Sequence, residues 1–313
     1  MEETSYGTTS YSLLLWLIVD TSPRIEQRDH VRILKKAIKK TLATLGYELC
    51  PLGLRASISD FVNPTQAYEQ RLIRNFVNLT QAYEQRLNES GDLIEINETR
   101  STLIARMCGT PPSEAYYLVE ALTRCTNVRG DVCEYGVAQG ETSALIANEI
   151  RSGSKALHLF DSFEGLPKPS EEDRLKDDIF SLGSMEAYTG TMSCPEDMVR
   201  ARLSAISFPP QRYVIHKGFI DHVLKHDSNL PEEVSFAYVD FDLFEPTKLT
   251  LDFLHRTTST GAIIIVDDYD FFSTGVKTAV DGFVEEKNSG ATVYECFVPN
   301  SRYGYFAVLT RKG

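Results

Sequence analysis

"ATVYECFVPNSRYGYFAVLTR", residues 291–311, decides the fold. Two apolar, aromatic-rich runs, 291–299 and 303–311, are separated only by a short turn. So few residues cannot hold a crossover helix, so the two runs form an antiparallel hairpin. Everything upstream of it, back to about Arg100, follows a different rule.

There, short apolar runs alternate with stretches of helical periodicity. The apolar runs are "DVCEYGV" (131–137), "ALHLFDSF" (156–163), "RYVIHKG" (212–218), "SFAYVDFDL" (235–243) and "GAIIIVDD" (261–268). The helical stretches among them include "ETSALIANEI", "PEDMVRARLSAI", "EPTKLTLDFLHR" and "TGVKTAVDGFVEE", and "SEAYYLVEALTRC" (113–125) precedes the first strand. Ser193 with Glu196 reads as a capping box, and Pro246 sits at a first-turn position. Such a βαβ rhythm predicts a mostly parallel sheet covered on both faces. A parallel α/β sheet closed by a C-terminal antiparallel hairpin is the class I methyltransferase, Rossmann-like architecture. Ligands of such sheets bind at the carboxyl ends of the strands.

Residues 1–100 have another character and are expected to form a helical N-terminal appendage, with the catalytic domain over 101–313. Val31, Leu34, Ile38, Leu42 and Leu45 recur at helical spacing in 28–49, among Lys35, Lys36, Lys39 and Lys40. This reads as a packing helix with a solvated basic face; the alternative is a helix lying on a membrane surface. "FVNPTQAYEQRL" (61–72) then returns as "FVNLTQAYEQRL" (76–87), a tandem duplication of units 61–75 and 76–90. Fifteen residues is close to four helical turns, so the second copy keeps nearly the same face inward.

Composition narrows the function. Net charge is −12, with 42% hydrophobic and 24% charged residues, which excludes a nucleic-acid backbone as partner. The six cysteines form no CxxC pair, as expected in a reducing cytoplasm without a disulfide framework or zinc site. "LLLWLIV" (13–19) is too short to span a bilayer, and its acidic upstream flank does not suit a secretory signal.

Strand ends carry the chemistry. In "EYGVAQGE" (134–141), Gly136 and Gly140 bracket a tight strand-to-helix turn that lets a ligand approach bare backbone. The GxGxxG fingerprint of dinucleotide enzymes is missing. Asp161, in "FDSFEGLP", follows Gly140 by about 20 residues, the spacing at which an acidic side chain meets ribose hydroxyls. "VDFDLFEPT" (239–247) and "VDDYD" (266–270) end the next two strands in carboxylates. Asp240 and Asp242 share a face if the strand continues through them. Carboxylates converging from neighbouring strand ends repel unless something offsets them, and they suit a hard divalent cation such as Mg²⁺.

In this order and spacing, "EYGVAQGETS", "DSFEGLP", "VDFDLFEPT" and "VDDY" resemble the macrocin O-methyltransferase family, sugar methyltransferases of natural-product biosynthesis. The resemblance covers roughly 100–310. It implies S-adenosylmethionine as methyl donor and Mg²⁺ as metal. Glu134, Gly136, Gly140, Asp161, Ser162, Gly218 and Phe219 would then bind the donor, with Phe219 near the adenine. Asp240, Asp267 and Asp268 would hold the metal, and Asp240 would also be the base. The acceptor would be a sugar hydroxyl of a glycoside or polysaccharide, and the protein a homo-oligomer. A catechol-like acceptor and a non-catalytic binding module stay open as alternatives, and the missing GxGxxG disfavours a nicotinamide enzyme. The family's first motif commonly carries paired glycines where this chain has "AQGE". The polar stretch 167–193 reads as a mobile lid over the acceptor.

Overall fold

A computed structural model describes residues 98–313. The apolar run at 13–19, the basic helix at 28–49 and the duplicated units 61–75 and 76–90 lie outside the described residues.

Two helices, α1 (Glu98–Arg106) and α2 (Pro112–Arg124), precede the sheet. Then follow β1 (Asp131–Tyr135), α3 (Glu141–Glu149), β2 (Leu157–Asp161), α4 (Glu196–Ala205), β3 (Tyr213–Lys217), α5 (Ile220–His226) and β4 (Val234–Val239). The chain continues through α6 (Phe244–Thr257), β5 (Thr258–Val266), α7 (Gly275–Lys287), β6 (Tyr294–Phe297) and β7 (Ala307–Arg311). Each strand lies within or overlaps an apolar run read from the sequence.

The seven strands form one sheet in the order β3-β2-β1-β4-β5-β7-β6. Strands β1 to β5 pair in parallel, while β7 runs antiparallel to both β5 and β6. The direction of winding reverses between β1 and β4, so the crevice beyond their carboxyl ends is the switch point at which such sheets bind ligands.

Burial on both faces explains the near-continuous hydrophobicity of the strands. Val132, Phe236, Tyr238, Ile263 and Ile265 point to one face, against Leu118 of α2, Ile146 of α3 and Leu203 of α4. Their neighbours Cys133, Tyr135, Ala237, Val239, Ile264 and Val266 point to the other, against Leu254 of α6 and Val280 of α7. The two-residue period of a strand divides one sequence run between two cores. Each fully buried large side chain contributes roughly 1.5–3 kcal/mol.

Two local expectations fail. Helix α4 is not capped by Ser193; Pro195 occupies the N-cap in extended conformation (φ −67°, ψ 133°), with no side-chain cap. A proline there sets the extended entry geometry and leaves Ser193 exposed, outside the helix. Strand β4 also stops at Val239, so Asp240 and Asp242 lie in the following turn and not on one strand face. Asp242 adopts φ 62°, and Leu243 N–H bonds back to Phe241 O at 2.7 Å, which ends the extended run.

Candidate active site

The turn after β1 has the backbone freedom its glycines promised. Gly136 and Gly140 take φ 85° and 75°, with Ala138 between them at 44°. At Gly136 a Cβ would sit 1.8 Å from the carbonyl oxygen of Asp240, so only glycine lets β1 and β4 end this close together. Asp240 N–H in turn donates to Tyr135 O at 2.7 Å. The glycine turn and the first acidic residue are thus two sides of one crevice.

Asp161, at the end of β2, organises that turn. Its Oδ2 accepts from Val137 N–H (2.7 Å) and Ala138 N–H (2.9 Å), and its Oδ1 accepts from Phe163 N–H (2.6 Å). Glu134 is fully buried beneath the turn, and each of its oxygens accepts from one hydroxyl, Thr142 or Ser143, in the first turn of α3. Burial pushes its carboxyl up to about 8, against the pull of those two hydroxyls. Ser162 serves its own loop, donating to Gly165 O and accepting from Glu164 N–H. Gly218, at φ 139°, donates to Asp161 O at 2.9 Å, and Phe219 is the N-cap of α5. All seven residues expected around the donor therefore gather at the carboxyl ends of β1, β2 and β3 or in the loops that follow.

On the other side of the crevice the acidic residues converge. Asp240, Asp242 and Asp268 each present an oxygen, all within 4.8 Å of one another, and each is half-buried. Asp242 and Asp268 sit in left-handed conformation, at φ 62° and 56°. That conformation turns their side chains inward from loops that sequence periodicity would have sent elsewhere. Burial, then neighbouring carboxylates, pushes Asp240 and Asp268 well above the usual carboxylate range. Asp242 is pushed up to about 7, again chiefly by burial.

Asp267, expected as a metal ligand, stands beside this trio. Its Oδ2 accepts from the Tyr238 hydroxyl at 2.5 Å and its Oδ1 from Asp268 N–H at 2.7 Å. Behind it lies Glu114 of α2, fully buried, with Oε1 3.3 Å from the same tyrosine oxygen and Oε2 unpartnered. Burial, then the Asp267 charge, raises Glu114 well above its ordinary value. Among the described residues no Lys or Arg forms an ion pair with Asp240, Asp242, Asp267 or Asp268; the adjacent Lys176 pairs with Asp270 instead.

The stretch 167–193, expected as a mobile lid, is packed as a strap. Leu175 bridges to Ser273, and Lys176 N–H donates to Phe272 O at 2.9 Å. Tyr188 donates to Asp178 at 2.7 Å and buries its ring with Leu166, Met185, Leu243 and Phe272.

Residues 38–296 match the macrocin O-methyltransferase (TylF) family. The chain belongs to this family. The macrocin O-methyltransferase match begins well upstream of residue 100 and takes in the duplicated units. Among curated relatives, a tetracenomycin-type rhamnosyl 4'-O-methyltransferase of Streptomyces olivaceus is 27% identical over 156 residues, 49% of this chain and 58% of that protein. Demethyldecarbamoylnovobiocin O-methyltransferase of Streptomyces niveus is 27% identical over 161 residues, 50% of this chain and 59% of that protein. Each alignment thus spans less than two thirds of the relative's length. The solved O-methyltransferase NovP superposes with a TM-score of 0.54 at 22% identity, covering 66% of this chain and 81% of its own. A calicheamicin methyltransferase superposes at 0.51 and 20% identity, covering 76% and 92%. At these identities the two structures establish the class I methyltransferase fold.

Sequence reasoning missed Tyr238 and Glu114 as parts of this site, and it placed Asp242 on a strand face without giving it a role. Asp242 carried a signal, since an acidic residue just past a strand end is a candidate for a left-handed turn. Tyr238 comes from a strand and Glu114 from a preceding helix, and no local pattern marks them.

Proposed function

We propose that the protein is an S-adenosylmethionine-dependent O-methyltransferase that uses Mg²⁺ and acts on a sugar hydroxyl of a natural-product glycoside. One observation carries this reading: three solvent-reachable carboxylates converge across a single crevice from a bare-backbone glycine turn. The names of the curated relatives, both O-methyltransferases of glycosylated or related natural products, support the acceptor class.

The cation part rests on charge. Asp240, Asp242 and Asp268 have no basic partner among the described residues, so protons or a bound cation must offset them. An all-oxygen, three-carboxylate set suits Mg²⁺, which keeps several waters, and suits softer metals poorly. Asp240 and Asp268 would be ligands, Asp242 joins them on geometry, and Asp267 is placed to support them or to complete the set. When bound, the cation supplies Lewis-acid stabilisation of an ionising hydroxyl.

The remaining work falls to the chain. Asp161 and the glycine turn hold the donor's polar groups, with Gly218 and Phe219 closing that side. Asp240 is the proposed base. The N-terminal hundred residues are proposed to help shape the acceptor pocket and the homo-oligomer. A cytoplasmic location suits the unpaired thiols of Cys125, Cys133 and Cys296. No helix among the described residues is long and apolar enough to cross a membrane.

The test is turnover of a panel of deoxysugar glycosides and catechols with labelled donor. Chelator should abolish transfer, Mg²⁺ should restore it, and Asp240→Asn should lose transfer while still binding donor. Transfer to catechols alone would favour the phenolic acceptor. Donor binding without transfer to any acceptor would favour the binding module.

A further inference from the structure

Helix α6 begins at Phe244, just past Asp242, and its N-cap Leu243 has no side-chain oxygen to satisfy the first N–H groups. The missing acceptor comes from the strap. Asp173, 6% exposed and 71 positions away in sequence, accepts Phe244 N–H on its Oδ1 at 2.8 Å. Its Oδ2 accepts from both the N–H (2.8 Å) and the hydroxyl (2.9 Å) of Ser170, which fixes the carboxylate within the strap.

The same carboxylate presses on the start of α7. A Cβ on Gly275, the first residue of α7, would lie 1.8 Å from Asp173 Oδ1 and 2.8 Å from Phe244 N. One anion therefore sits between the positive ends of two helix dipoles, where negative charge is favoured. Between them lies Ser273, fully buried. Its hydroxyl donates to Asp242 O at 2.9 Å, accepts Gly275 N–H at 3.1 Å, and is 3.4 Å from Asp173 Oδ1. Ser273 has one proton, so the shorter bond to Asp242 takes it.

Helices α6 and α7 follow the two loops that carry Asp242 and Asp268. Both residues hold left-handed conformations that a non-glycine residue keeps only when its surroundings enforce them. At this end Ser273 binds Asp242 O, and Asp173 sits against the first residues of both helices.

We propose that Asp173, acting through Phe244 N–H while Ser273 holds Asp242 O, is the positioning residue that keeps the Asp242 and Asp268 loops in cation-binding geometry. The strap over the site and cation affinity are then one coupled system. This inference rests on the cation reading above and adds to it a residue that touches neither donor nor cation.

The experiment measures Mn²⁺ binding to the full chain by electron paramagnetic resonance, with no acceptor present and no turnover. S-adenosylhomocysteine affinity, measured by calorimetry, is the control. Asp173→Ala should weaken Mn²⁺ binding tenfold or more and change S-adenosylhomocysteine affinity less than twofold. Asp173→Asn, which keeps an oxygen for Phe244 N–H, should recover most of the loss. A purely stabilising cap predicts a lower melting temperature for Asp173→Ala with unchanged Mn²⁺ affinity, and that result overturns the proposal. If Asp173→Ala does not fold, Ser273→Ala carries the same prediction, a loss of threefold or more, and unchanged affinity there overturns it equally. A wild-type protein that binds no Mn²⁺ at millimolar concentration overturns the cation reading and this inference with it. Wild-type binding matched by both variants overturns this inference alone.

Discussion

The Tyr238 hydroxyl donates a 2.5 Å hydrogen bond to Asp267 Oδ2, from a ring buried near the carboxyl end of β4. Burial raises the Asp267 carboxyl, while this hydroxyl, the Asp268 N–H and the Glu114 side chain pull it back down. The tyrosine therefore favours a charged Asp267 beside three other carboxylates. Tyr238→Phe keeps the ring packing and deletes only that donor. It should cost about 1.5–3 kcal/mol, the range for a hydrogen bond to a charged group. Urea unfolding measures it, and a loss below about 0.5 kcal/mol would show that Asp267 does not depend on the bond.

Asp161→Ala removes the carboxylate that accepts from three backbone N–H groups at once, two of them in the glycine turn. Donor affinity should fall by roughly 1–3 kcal/mol, about 5- to 150-fold, by loss of direct contact and of turn order together. Calorimetry with S-adenosylhomocysteine reads it. Unchanged affinity in a folded variant would remove Asp161 from the donor site.

Deleting residues 76–90 takes out one copy of the duplicated unit, and its 15 residues are close to four turns of the helix expected from the sequence. Among the described residues the two cores of the sheet are built from residues 117 to 309, and the deleted segment lies outside the described residues. The variant should keep its circular dichroism melt and its donor affinity, and change acceptor turnover or its elution volume in size-exclusion chromatography. Loss of the cooperative melt would place the duplication inside the main core. That outcome would fit the family match, which begins at residue 38.

The strands were legible because burial on both faces writes itself into sequence as apolar runs, and the hairpin because its connection is too short for a crossover helix and holds only a single 3-10 turn, Ser301–Tyr303. Asp161, Asp240 and Asp268 were legible as charges at the ends of such runs. Asp242 was seen but wrongly placed on a strand, since a left-handed turn at φ 62° overrides the two-residue period. The capping box at Ser193 failed because Pro195 already supplies the helix entry. Asp173 and Glu114 were illegible for one shared reason. Asp173 meets Phe244 across 71 positions and Glu114 meets Tyr238 across 124, and local periodicity carries no information about such pairings.

Glu134, whose charge also bears on Asp240, gives a pH dependence that can be tested in its own right. Burial raises its carboxyl from an ordinary 4.5 to about 8, although Thr142 and Ser143 oppose the shift. Between those two values the folded chain binds more protons at this site than the unfolded chain does. Stability contributed by Glu134 is therefore fully present below about 4.5 and is lost as pH rises through about 8. Glu134→Gln has nearly the same shape, keeps an oxygen for one hydroxyl and an N–H for the other, and does not titrate. Measured without donor or divalent cation, wild type should lose roughly 1–3 kcal/mol relative to Glu134→Gln between pH 5.5 and 9. Thermal melts of the two proteins across that range give the difference directly. A wild-type advantage that stays flat or grows with pH would mean that Glu134 is ionised in the folded protein. The two hydroxyls of α3 would then outweigh burial, and Glu134 would present a fixed negative charge beneath the donor turn.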